Sequence, residues 1–161
     1  MNPKYRLAFI IVAAVVLLDQ ATKFWVHKSM ALYQSIEVIP HFANLTYIRN
    51  PGAAFSFLAE SRPSLRMTFL VVVAIAAIAC IVFLLKITRS DRRSFTVGLS
   101  LILGGAVGNL IDRLRLGEVA DFIDLYWNRF HWPAFNLADS AITIGVILLL
   151  IRMLRQRSWN T

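Results

Sequence analysis

The sequence is short of what a soluble enzyme normally carries. Only 16% of its 161 residues are charged, against about a quarter in an ordinary soluble domain. It has a single cysteine, Cys80, set in the apolar run VVVAIAAIACIVFLL. Cys80 has no partner for an intramolecular disulfide and no CxxC spacing for a metal, so it reads as a small apolar filler. The three histidines (His27, His41, His131) show no HExxH or other ligand spacing, so neither a metal site nor a cofactor is expected. No Ser-His-Asp or Ser-Lys pairing is visible for nucleophilic catalysis. Acids are scarce, 9 against 17 Lys and Arg, for a net charge of +8. That excess sits in short clusters beside apolar runs, which is the pattern of membrane orientation and not of nucleic-acid binding.

What the sequence has in abundance is apolar length, with 58% hydrophobic residues. Four segments are long enough to cross a bilayer, which takes about 20 residues each: 7–26, 67–85, 95–114 and 132–151. The first follows Lys4 and Arg6 and has the flavour of a signal peptide. It passes into DQATKFWV without a small-x-small cleavage site, so an uncleaved span is expected. Lys86, Arg89, Arg92 and Arg93 lie between the second and third spans, and Arg152, Arg155 and Arg157 follow the fourth. With four spans these clusters and the N-terminal pair share one side. The positive-inside rule makes that side cytoplasmic.

Two stretches then face outward. Residues 28–66 hold alternating segments such as SIEVIPHF and NLTYIRN, broken by Pro40 and by Asn50-Pro51-Gly52, and predict short strands and turns in a small β-rich cradle. Residues 117–131 place Val119, Phe122, Ile123, Tyr126, Trp127 and Phe130 at helical spacing. They predict an amphipathic interfacial helix, with Trp127 and Trp132 at headgroup level. The expected fold class is therefore mostly α and integral to the membrane: one four-transmembrane-helix bundle with an extracytoplasmic β-rich subdomain and an interfacial helix that serves as a lid.

Helical rise converts position into depth. Asp19 lies roughly 18 Å beyond Leu7, and Asp139 roughly 20 Å from Arg152, at about 1.5 Å per residue. Asn109 is roughly 24 Å from Arg93, with Asp112 and Arg113 just above. Three spans thus bring polar residues to one layer, where charge is expensive and marks function. Lys23 follows Asp19 by four, Arg113 follows Asn109 by four, and Asn136 precedes Asp139 by three, so each pair shares a helix face. Gly104 and Gly108 stand at the GxxxG interval of close helix packing.

For catalysis this leaves carboxylates. Two that share a proton can activate water against an amide, one as general base and one as general acid. The outward acids are Asp19, Glu37, Glu60, Asp112, Glu118, Asp121, Asp124 and Asp139. Asp19 and Asp112 have Lys23 and Arg113 as charge partners, whereas Asp139 has no such cation in sequence. Spacing does not choose between Asp121 and Asp124. A proton-coupled transporter and a non-catalytic scaffold are the competing readings, although a transporter would need polar residues through the apolar inner halves of the spans.

The stretches DQATK (19–23), RNPGAAFSF (49–57), GGAVGNLIDR (104–113), VADFIDLY (119–126) and FNLADSAI (135–142) occur in this order across nearly the whole chain. As a set they resemble lipoprotein signal peptidase, the type II signal peptidase of bacteria, an aspartic endopeptidase family. The resemblance implies removal of signal peptides from prolipoproteins before a diacylglyceryl-modified cysteine. It implies Asp121 and Asp139 as the catalytic pair. Asn50, Gly52, Asn109, Arg113 and Asn136 would bind substrate or order the site, and Asp19 with Lys23 would support the fold. By the same resemblance the partners are prolipoprotein signal peptides, membrane lipid and cyclic-peptide inhibitors of the globomycin type. The protein is expected to work as a monomer in the bacterial inner membrane, with both termini cytoplasmic and the active site in the outer leaflet.

Overall fold

The computed structural model describes residues 2–52 and 63–157. Four helices are long and apolar enough to cross a membrane: α1 (Pro3–Ser29), α2 (Pro63–Ile87), α3 (Arg93–Leu116) and α4 (Leu137–Arg157). Leu17, Leu18, Val72, Phe83, Ile144 and Ile147 all point outward. Many of the buried residues, by contrast, are glycines and polar side chains. Apolar outside and small or polar inside suits a bundle whose solvent is lipid.

α3 is the central helix and packs against each of the other three. Its glycines allow this. A Cβ on Gly104 would come 2.8 Å from Val15 of α1, and one on Gly105 would land on the Ala138 carbonyl oxygen of α4. Gly104 and Gly105 therefore mark close approach on two sides of one helix, and Gly108, the other half of the GxxxG pair, meets Asp19 of α1. α3 stops at Gly117, which takes the left-handed conformation at φ 75° and donates its N–H to Arg113 O. At the other end of the bundle the buried Lys4 ammonium donates to the carbonyls of Leu85 (3.0 Å), Lys86 (3.2 Å) and Thr88 (2.8 Å). It satisfies acceptors that the C-terminus of α2 leaves open.

Above the bundle lies one antiparallel sheet in the order β1-β2-β3-β4: β1 (Ser35–Ile39), β2 (Ala43–Asn50), β3 (Val119–Trp127) and β4 (Phe130–His131). β1 and β2 fall within the stretch expected to form strands. Of the rest of that stretch, residues 28–29 belong to α1 and 63–66 to α2, and residues 53–62 lie outside the described residues.

The expected interfacial helix over residues 117–131 is not formed. That stretch is β3, a tight turn with Asn128 at φ 55°, and β4. Local spacing loses to pairing, because β2 presents an open edge and β3 fills it, from Ala43 opposite Leu125 to Asn50 opposite Val119. The apolar pattern misleads because no face of β3 is wholly polar. Ala120 and Phe122 bury against Val26 of α1 and Met30 just after it, and Ile123 packs against the same cluster. The loss of a clean period-2 alternation leaves a false helical one. A β3 bonded along β2 is also no detachable lid. The fourth helix begins at Leu137 and not at 132, since Phe135 exchanges backbone hydrogen bonds with Ile123 first.

Candidate active site

The start of α4 builds the first part of the site. Asn136 caps the helix: its Oδ1 accepts from Asp139 N at 2.9 Å, while Asp139 Oδ2 accepts from Asn136 N at 3.3 Å. This reciprocal cap explains the spacing of three and two polar residues at the head of an apolar run. The cap leaves the Asn136 amide nitrogen free to work elsewhere. It donates to Asp121 Oδ1 at 2.8 Å, to Asn109 Oδ1 at 3.2 Å and to Ala120 O at 3.3 Å. Asn136 is wholly buried. One side chain thereby ties α4 to β3 and α3.

Among the described residues, Asp121 and Asp139 each receive two donors. Asp121 takes Asn136 on Oδ1 and Asn50 Nδ2 on Oδ2 at 3.0 Å. Asp139 takes Asn109 Nδ2 on Oδ1 at 2.7 Å and the Asn136 backbone on Oδ2. Asn50 is aimed by the turn that follows it. Gly52, at φ 91°, donates its N–H to Asn50 Oδ1 at 2.9 Å, so the Asn50 amide nitrogen faces Asp121. A side chain at Gly52 would strain that backbone and meet Leu70 at 2.5 Å.

Burial pushes the Asp121 carboxyl up to about 6; the Asn50 and Asn136 donors oppose the rise, and the Asp139 charge adds to it. Asp121 is 2% exposed. Asp124 is placed differently. On a helix it would share a face with Asp121, but three residues along a strand put it on the opposite face. There it accepts from Asn44 Nδ2 at 2.9 Å and meets His131 Nδ1 at 2.9 Å.

Beneath this lies a charged knot. Lys23 Nζ is 2.9 Å from Asp19 Oδ2, 2.9 Å from Asp112 Oδ2 and 3.0 Å from Asn109 Oδ1, which uses all three of its protons. Asp19 also accepts from Ala138 N at 3.0 Å, and Asp112 from Ala120 N at 3.2 Å. Each carboxylate therefore holds the backbone beside one of the two upper aspartates. Gly108 makes room, since a Cβ there would lie 2.6 Å from Asp19 Oδ2.

Sequence reasoning paired Asp112 with Arg113; its cation is instead Lys23, and Arg113 donates to Asn109 O at 3.3 Å within its own helix. Gln20 was missed. Its amide bridges Asp112 Oδ1 (3.0 Å), Asp19 Oδ2 (3.2 Å) and Gly108 O (3.2 Å). Its place directly after Asp19 was the available signal.

Asp19, Lys23, Asn50, Gly52, Asn109, Asp121, Asn136 and Asp139 thus join one hydrogen-bonded network. Arg113 lies half-buried at its side. Chemically the arrangement offers two carboxyls, held among the described residues by amides and not by cations, at one end of an apolar bundle.

Comparison with known proteins identifies the family. The family model described as signal peptidase (SPase) II matches residues 11–155. The lipoprotein signal peptidase of Geobacter metallireducens is 52% identical over 155 residues, 96% of this chain and 94% of its own. That of Geobacter sulfurreducens is 49% identical over 156 residues, 97% of this chain and 96% of its own. A bacterial membrane enzyme solved at 2.3 Å by the in meso method superposes with TM-score 0.83 at 39% identity, covering 96% of this chain and 91% of that one. The transporter reading finds no support among these relatives. The chain belongs to the signal peptidase II family and is a multi-pass bacterial membrane protease.

Proposed function

We propose that the protein removes signal peptides from prolipoproteins, cutting on the N-terminal side of a diacylglyceryl-modified cysteine, with Asp121 and Asp139 as a catalytic dyad. The observation that carries this reading is the Asn136 side chain, which holds Asp121 through Nδ2 and the Asp139 backbone through Oδ1. Two carboxyls so tied, with Asp121 raised to about 6, suit a pair that shares one proton. Within the pair the carboxylate acts as base and its protonated partner as acid. The carboxylate takes a proton from water as the water oxygen attacks the scissile carbonyl carbon. The protonated partner gives its proton to the carbonyl oxygen; as the tetrahedral intermediate collapses, it takes a hydroxyl proton back, and the proton drawn from water passes to the departing amide nitrogen.

Asn50, Gly52, Asn109, Arg113 and Asn136 bind the peptide or hold the dyad in place, while Asp19 and Lys23 keep the helices beneath it in register. The site end of the bundle faces outward and both termini face the cytoplasm of the inner membrane, in keeping with the basic clusters at the other end. A lipidated cysteine following an apolar signal helix presents its bond at the depth of these aspartates, which accounts for carboxyls placed in so apolar a setting. Cyclic peptides of the globomycin type compete for the same cleft, and one protomer suffices.

The test is a precursor supplied with and without its diacylglyceryl group, with the product's new N-terminus read by mass spectrometry. The lipidated form should be cut and should begin at the modified cysteine. Equal cutting of the unlipidated form, or cleavage elsewhere, would refute the assignment.

A further inference from the structure

At the end of the bundle away from the aspartates, α2 and α4 both lean on α3 and leave a groove of about 540 Å³ between them. Its walls are Leu84 and Ile87 of α2, Phe95 and Leu99 of α3, and Leu149 and Met153 of α4. Arg89 and Arg92, from the segment that joins α2 to α3, line it too. Arg92 is held over the Phe95 ring, its guanidinium carbon 5.6 Å from the ring centre. Arg89 touches Asp91 at 3.5 Å, but both are exposed at 77% and 66%, a contact too wet and too long to hold it against a better anion. The connecting segment carries Lys86, Arg89, Arg92 and Arg93 against Asp91 alone.

We propose that this groove is a binding site for an anionic phospholipid, with an acyl chain along the apolar walls and the phosphate against Arg89 and Arg92. A groove on the flank of a membrane-spanning bundle is filled by whatever the bilayer supplies, and paired arginines select the acidic lipids there. The charge also argues against the nearest rival, the leading end of a signal peptide, because that segment is itself basic. The inference rests on the membrane-spanning fold and not on the assignment of the aspartates.

The test uses the full-length enzyme, stripped of lipid in neutral detergent, with bound lipid counted by native mass spectrometry. Phosphatidylglycerol and phosphatidylcholine with identical acyl chains are compared. At about 1 kcal/mol per arginine, or roughly five-fold each, the acidic lipid should bind about 25-fold more tightly. Arg89→Gln with Arg92→Gln should abolish that preference. Met153→Trp, which fills the groove and keeps both charges, should weaken both lipids while the lipid-free melting temperature holds. Equal binding of the two lipids would overturn the proposal. So would an unchanged preference in the double variant, unchanged binding in Met153→Trp, or inorganic phosphate binding as tightly as the lipid.

Discussion

Lys23 Nζ lies 3.0 Å from Asn109 Oδ1, and that bond settles which end of the Asn109 amide faces Asp139. With Lys23 and Asn136 both donating to the oxygen, the nitrogen has to point the other way, where it reaches Asp139 Oδ1 at 2.7 Å. A lysine with no contact to either proposed catalytic carboxyl thereby orients the donor of one of them.

Asn109→Asp keeps the shape and suits Lys23, but it sets an anion against Asp139 in place of a donor. Losing a hydrogen bond to a charged group costs about 1.5–3 kcal/mol. Turnover of a lipidated precursor should fall about 10- to 100-fold, with insertion unchanged. Full activity in this variant would show that the orientation of the amide does not matter.

Lys23→Met removes the cation from between two buried carboxylates. Breaking a buried pair in this way costs about 3–5 kcal/mol. The melting temperature in detergent should drop sharply, and restoring the charge with Arg should recover little, because the fork does not fit a three-way ammonium site. A melting point within a few degrees of wild type would contradict the knot's role.

The raised carboxyl of Asp121 makes a signed prediction about pH. Its folded value of about 6 lies above the ordinary 3.8, so the folded state holds this proton more tightly than the unfolded chain does. The stabilisation is present below the unfolded value and is lost as pH rises through 6. Asp121→Asn cannot titrate, so the stability of wild type relative to this variant should fall by on the order of 1 kcal/mol between pH 5 and 7.5. Paired chemical-denaturation curves measure it. A gap that stays constant or widens in favour of wild type would contradict the assignment.

Much of the fold was legible because lipid imposes a simple rule. Uninterrupted apolar runs gave the four helices, and positions 19, 109 and 139 could be set at one level from helical rise alone. The Gly104 and Gly108 spacing likewise foretold close packing. What failed was β3, whose sheet partner lies some seventy residues earlier in the chain and whose inner face packs on α1. The same error hid the difference between Asp121 and Asp124, since a helix puts them together and a strand separates them. Lys4 was also misjudged. As an N-terminal lysine before a span it read only as an orientation signal, yet it reaches across to cap α2. Such contacts depend on which helix ends meet, and local sequence does not carry that information.

The Lys4 cap separates stability from chemistry. Lys4→Met leaves the carbonyls of Leu85, Lys86 and Thr88 without this donor, at about 1–3 kcal/mol for buried groups left unsatisfied. The melting temperature should fall while kcat for the lipidated precursor stays within about two-fold, since the contact lies at the far end of the bundle. A selective loss of kcat without a change in melting would refute this.

The central claim is that Asp121 and Asp139 together cleave the peptide bond. Its most direct test is turnover of a lipidated precursor by membrane-inserted Asp121→Asn and Asp139→Asn, each compared with wild type at equal amounts of folded protein. Each should lose activity by about 10⁴-fold or more, as groups that act as one unit do. Retention of even a tenth of wild-type turnover by either variant would contradict the dyad.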